Sequence, residues 1–352
     1  MADEEIDVLV VAGNPWRSDY LRFALDVTPI EGHAFAFLER EGPGRIIVEH
    51  PAEAARLRSE QPQLQVSWSP SPIAETETAI RALGGRRIAL APLAAVPHRL
   101  AIGPLGSSVI PTTALLDRLM LRKSSSEIDA LRRAAALADQ GYVAFCDAAR
   151  LGRPEYALVA DVEAFFRSRG CPENFQILGS GGREVRGMHA PTERRLVAGD
   201  LVTTELTPCV DGYYAQICRT LVLGDPSEDQ KRSFSIFHEA QAAAQGFIKP
   251  GVNIKDVARV QNDVFRREGF GEYTGAKYTR VRGHNLGLYP DENPWVLEDV
   301  DCVVDKGMVV IAHPNTYLPL SGYMVFGDTL LVTDNGCIGL NHTAKRLFSK
   351  EA

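Results

Sequence analysis

Two apolar runs rich in β-branched and aromatic residues, Leu201 to Val210 and Tyr213 to Thr220, flank the dipeptide Asp211-Gly212. A turn with positive φ tolerates Asp and Gly, so this pattern predicts a β-hairpin. With the dipeptide at the turn, Glu205 falls opposite Cys218. Side chains alternate faces with period two, which puts Gln216 on the same face as both.

Elsewhere the pattern predicts two domains. Ile6 to Ala12, Ala34 to Leu38, Arg45 to Glu49 and Arg87 to Ala91 read as short strands, with Tyr20 to Leu25 and Ala74 to Leu83 as helices between them. This makes an α/β N-terminal domain over 1–117. The chain divides between Pro111 and Ser126, where Ser124 and Glu127 open a helix through Ile128, Leu131, Ala135 and Leu137. Further helices are predicted over Tyr156 to Phe166, Asp229 to Phe247 and Ile254 to Glu268. Pro250 with Gly251, and then Gly269, supply the stops. Helices on an antiparallel sheet make residues 118–352 an α+β domain.

Composition narrows the function. The 352 residues are 45% hydrophobic and 24% charged, ordinary for a soluble enzyme with real cores. A net charge of −7 gives no basic footprint for nucleic acid or an anionic membrane. No apolar run approaches a bilayer span, and Asp3, Glu4 and Glu5 make the N-terminus acidic, so the cytoplasm is the expected location. The six cysteines show no close-paired spacing, hence neither a zinc cluster nor a disulfide framework is expected.

The hairpin resembles that of the pita-bread family of creatinase, aminopeptidase P and prolidase, in which it carries two metal-binding aspartates. Here Glu205 and Gln216 stand at those positions. Arg282-Gly283-His284-Asn285-Leu286-Gly287-Leu288 is similar to the family's G-H-G-x-G-L segment, which matches His284 to a ligand histidine. Asp305 to Pro314 is similar to K-P-G-M-V-x-x-x-E-P, with His313 where a ligand glutamate belongs. Gly327-Asp328-Thr329 stands for E-D-T, so the last ligand is lost. The resemblance implies a pita-bread C-terminal domain. One Glu, one Gln and two His lack the bridging carboxylates that hold a metal pair about 3.5 to 4 Å apart, so no metal and no cofactor is expected.

Likeness to creatinase, which works without metal, implies a histidine base, and His189 in Arg186-Gly187-Met188-His189 matches it. An imidazole can activate water and then protonate a leaving nitrogen near neutral pH. The expected function is a metal-independent hydrolase cleaving the C–N bond of a small non-peptide molecule. His189, Glu205, His284 and His313 are its expected catalytic residues, and Tyr214, Gln216, Cys218, Asp291 and Asp328 its expected substrate-binding residues. Creatinase's guanidinium-binding carboxylates are absent, which argues against creatine as substrate. The alternatives are an Xaa-Pro peptidase with a single metal on Glu205, His284 and His313, a histidine-base lyase or isomerase, and an inactive ligand-binding member. The resemblance also implies a homodimer.

Overall fold

The computed structural model describes residue 1 and residues 4–102 and 109–351. It divides into two compact units, Met1–Met120 and Leu121–Ala352. In the first, six strands form one mixed sheet in the order Gln65–Trp68, Arg45–Val48, Ala34–Glu39, Val8–Gly13, Ile88–Ala91, Val109–Pro111. Val8, Val10, Phe35, Phe37 and Leu90 form its buried core. Val8–Gly13 and Ile88–Ala91 are buried along their whole length, which is why they read as continuous apolar runs.

The second unit opens with α1, Ser125–Ala148, capped as its sequence predicts. Ser124 accepts from the Glu127 backbone N–H, and the Glu127 side chain accepts from the Ser124 N–H. Helix α2, Glu155–Arg167, packs against it. Helices α3, Glu228–Phe247, and α4, Ile254–Arg267, form a second pair. Both pairs cover one ten-stranded sheet, antiparallel but for the C-terminal strand Phe348–Lys350.

Its main path uses β1 (Asn174–Gly181), β2 (Leu201–Val210), β3 (Ile217–Leu223), β4 (Gly283–Asn285), β5 (Glu292–Trp295), β6 (Val309–Ala312) and β9 (Gly327–Val332). Their spatial order is β5-β4-β6-β9-β3-β2-β1. A separate hairpin of β7 (Asn315–Leu318) and β8 (Gly322–Val325) interrupts the path between β6 and β9.

Asp211 and Gly212 both take positive φ, 48° and 84°, the tight turn that Asp-Gly favours. That turn fixes the register of β2 on β3, which pairs Glu205 with Cys218. Leu206 and Ile217 are also paired, and belong to the core that α1 and α2 form through Tyr142, Phe145, Leu158 and Phe166. Glu205, one residue on, faces the opposite side.

A buried network ties the loop after β1 to α2. Ser180 Oγ donates to Glu155 Oε1 at 2.5 Å, and the Thr192 N–H and Oγ1 donate to Oε2 at 2.9 and 2.7 Å. Arg194 forms a bidentate pair with Asp200 at 2.7 and 2.8 Å. Burial opposes ionisation of Glu155, but the bonds from Ser180 and Thr192 prevail and hold its carboxyl below the ordinary range. Glu155→Ala strands these buried donors, and we expect a loss of about 2–3 kcal/mol in urea unfolding. Faster proteolysis within residues 182–195 is expected alongside, and unchanged cleavage there would show that the loop does not depend on Glu155.

Candidate active site

Glu205 from β2, Gln216 from the break before β3, His284 from β4 and His313 from the end of β6 are all buried. Gln216 is fixed by its backbone, whose N–H donates to Thr329 Oγ1 at 2.9 Å while its carbonyl accepts from the same hydroxyl at 2.8 Å. Its Nε2 donates to Glu205 Oε2 at 3.0 Å. The rings of His284 and His313 stand 5.2 Å apart, edge to face. His284 Nδ1 lies 2.9 Å from the Asn285 carbonyl and so donates there, which leaves Nε2 facing Asp291 Oδ1 at 3.1 Å, a contact that becomes a hydrogen bond when one of the two atoms carries a further proton. Asp291 thus joins the cluster.

A second layer holds the loop that carries Asp291. Glu292 accepts from Lys123 Nζ at 3.0 Å, from Asn285 Nδ2 at 2.6 Å and from the Leu288 N–H at 2.7 Å. Lys123 and Glu292 are both buried, so the pair persists because every oxygen is satisfied. The contribution of Lys123 was missed in the sequence, where it reads as one more polar residue before a helix cap.

Burial decides the charges of the cluster. Desolvation, and then the charge of Asp291, raise the Glu205 carboxyl to about 8, with the bond from Gln216 acting against them. Burial lowers His284 despite Asp291, and burial followed by the nearby His284 holds His313 well below the ordinary range. Near neutral pH, Glu205 therefore carries its proton and His313 is a neutral imidazole. Burial and the neighbouring Glu205 raise the Cys218 thiol well above its usual value, opposite to what a thiolate nucleophile needs.

Three expected residues lie elsewhere. Asp328 is buried in ion pairs with Arg219 at 2.6 Å and Lys345 at 2.9 Å, so its charge is already spent inside the protein. Tyr214 donates its hydroxyl to Glu173. His189 sits exposed on the loop after β1, bridged by its backbone to Leu178, with Nδ1 2.7 Å from the Ala190 carbonyl. It lines a cavity of about 440 Å³ with Ser180, Glu184, Arg186, Met188 and Arg194. Among the described residues, no hydrogen bond or ion pair joins it to Glu205 or to either buried histidine.

Gly327 shows how the altered set fits together. A Cβ built there would come within 2.4 Å of the His313 Cβ and 2.6 Å of the Ala312 carbonyl oxygen. The backbone of Ala312 and His313, with the His313 Cβ, thus occupies the space that a side chain at 327 would enter.

Residues 129–334 match metallopeptidase family M24. The chain belongs to that family. It is 30% identical over 244 residues to the uncharacterized peptidase YqhT of Bacillus subtilis, and 30% identical over 232 residues to the Xaa-Pro dipeptidase of Pyrococcus furiosus. These matches cover 69% and 65% of this chain and 68% and 66% of the relatives, about two thirds of their length. Among solved structures, an Xaa-Pro dipeptidase from Bacillus anthracis superposes with a TM-score of 0.85, at 24% identity, over 99% of this chain and 96% of its own. This M24 member therefore has an α/β N-terminal domain and a pita-bread C-terminal domain.

These relatives overturn the expectation of a creatinase-like hydrolase for non-peptide molecules. That expectation came from missing metal ligands, and a ligand set does not specify which C–N bond is cleaved. Metal independence likewise runs against membership of a metallopeptidase family. The family's metal pair nevertheless does not fit this M24 member's residues, since neutral Gln216 and side-chain-free Gly327 replace carboxylate donors. Among the described residues, no three His, Cys, Asp or Glu side chains are placed to hold one ion, the set of Glu205, His284 and His313 included.

These charges set a pH dependence. Glu205, raised from 4.5 to about 8, stabilises the fold less and less as pH rises between those values, whereas the lowered histidines cost stability only below their ordinary 6.5. Between pH 6.5 and 8 only Glu205 of the three contributes, by at most about 1.4 kcal/mol per pH unit. Chemical denaturation across this window should show a decline in the wild type that Glu205→Gln removes. Equal slopes in both proteins would place the Glu205 proton elsewhere.

Proposed function

We propose that the chain is a peptidase acting on short peptides of the Xaa-Pro kind named for its relatives, with the scissile amide seated between Glu205 and His313. The supporting observation is a group of buried atoms without protein partners: Glu205 Oε1, Gln216 Oε1 and both ring nitrogens of His313. Buried polar atoms are rarely left unpaired, and these belong to linked residues, Gln216 to Glu205 by a hydrogen bond and His313 to His284 by ring contact, so they call for a polar ligand.

The pair supplies opposite proton chemistry. Two groups whose surroundings push their protonation apart serve as acid and base. Neutral His313 offers an acceptor nitrogen to a water attacking the carbonyl carbon. Glu205, with Oε2 held by Gln216, gives its proton from the carboxyl to the departing nitrogen. The C–N bond breaks, and a carboxylic acid and an amine result. His284, held by its Nδ1–H on the Asn285 carbonyl and facing Asp291, stands beside His313 and orients the water. His189 lines a cavity that Glu205 and His313 do not line, and takes no part in this step. We carry the homodimer and the cytoplasmic location forward as proposals. Among the described residues, no helix is long and apolar enough to cross a membrane.

The test is release of proline from Ala-Pro and Gly-Pro, measured with chelator present and with Mn, Co or Zn added. Turnover should fall as pH rises through about 8, where Glu205 loses its proton, and Glu205→Gln should lower kcat by roughly a hundredfold or more. No proline release in any condition would sink the peptidase reading. A kcat that rises through pH 8 would reverse the role given to Glu205.

A further inference from the structure

Two arginines of the C-terminal unit are fully buried, and they are treated differently. Arg219 meets the carboxylate of Asp328 at 2.6 Å. Arg282, two residues before His284, has no carboxylate within ion-pair distance among the described residues. Its Nε donates to Asn262 Oδ1 at 2.6 Å, and its Nη1 donates to the carbonyls of Thr279, Val281 and Asn315 at 2.8 to 3.0 Å. Nη2 is buried and has no partner.

An isolated buried cation costs several kcal/mol unless an anion or a full set of acceptors compensates it. The nearest compensation is remote: Asn262 passes its Nδ2 to Glu298 at 2.8 Å, and Glu298 also serves Arg266. The unfilled corner belongs to the polar cluster. The His313 N–H donates to the Arg282 carbonyl at 3.1 Å, and Asn315, whose carbonyl accepts from Nη1, leaves its own Oδ1 unpartnered. The Arg282 charge is felt at His313, and Tyr323 in turn acts on Arg282.

We propose that Arg282 Nη2 receives a carboxylate oxygen of the ligand, so that the pocket takes molecules carrying a carboxylate beside the group that His313 contacts. A guanidinium donating to a carboxylate gives the stronger, charge-assisted class of hydrogen bond. This rests on the peptidase reading for the nature of the ligand, but not for the existence of the anion site.

The test keeps the two apart. Arg282→Met removes the cation but risks the fold. Asn262→Asp keeps Arg282 and sets a carboxylate against its Nε, neutralising it from within; its folding is checked by thermal midpoint. Gly-Pro is compared with its C-terminal amide as substrate, and L-proline is titrated calorimetrically, each on wild type and on Asn262→Asp. The wild type should prefer the acid over the amide by about tenfold or more in KM, with the preference collapsing in Asn262→Asp, and L-proline should weaken by a similar factor in that variant. Acid and amide handled alike by an active wild type would overturn the Arg282 site while leaving the peptidase reading intact. If neither peptide is cleaved but L-proline binding still depends on Asn262→Asp, the anion site stands and the peptidase reading falls. L-proline binding identical in both proteins would mean that a trapped water serves Nη2, and would overturn the proposal.

Discussion

Removal of water from the polar face of β2 and β3 is the constraint on which the site depends. In contact with solvent, Glu205 would ionise like any carboxylate and His313 would titrate near neutrality. Inside the sheet, where Thr203 and Thr220 pair their hydroxyls at 2.7 Å and Thr329 grips Gln216 through both backbone groups, neither does. The unusual protonation states need no special device. They follow from strand register, which is set by an Asp-Gly turn some distance away.

The residues that depart from the family pattern are sterically and electrically coupled. A glycine at 327 lets the Ala312-His313 backbone approach closely, because a Cβ there would overlap the Ala312 carbonyl and the Cα and Cβ of His313. Asp291 faces His284 while its neighbour Glu292 is paired with Lys123, and both carboxylates act to raise the imidazole against its burial.

Much of the fold could be read from the sequence because its signals are local. The Asp-Gly turn, the Ser124 cap and the alternation that pairs Glu205 with Cys218 involve residues within a few positions of a hairpin or helix end. Glu205, Gln216, His284 and His313 could be grouped because their segments resemble a known family. Other features depended on distant partners and left no local trace. Asp328 reads as a free acid until Arg219 and Lys345 arrive from 109 residues before it and from the C-terminal tail. Tyr214 reads as a pocket residue until Glu173 claims it. Arg282, hidden beside a more conspicuous histidine, becomes notable only when its lack of an anion is seen, and that can be seen only in three dimensions.

The pairing of Lys123 with Glu292 spans 169 residues. During synthesis, α1 leaves the ribosome while the acid that Lys123 needs has not yet been made, and Asp328 and Lys345 come later still. Local helices and the β2–β3 hairpin can form early, but the pocket can close only when nearly the whole chain has emerged. The nascent protein therefore carries Lys123 and Arg219 in water while the next 169 and 109 residues are made, and burial of the site's walls waits for Glu292 and Asp328.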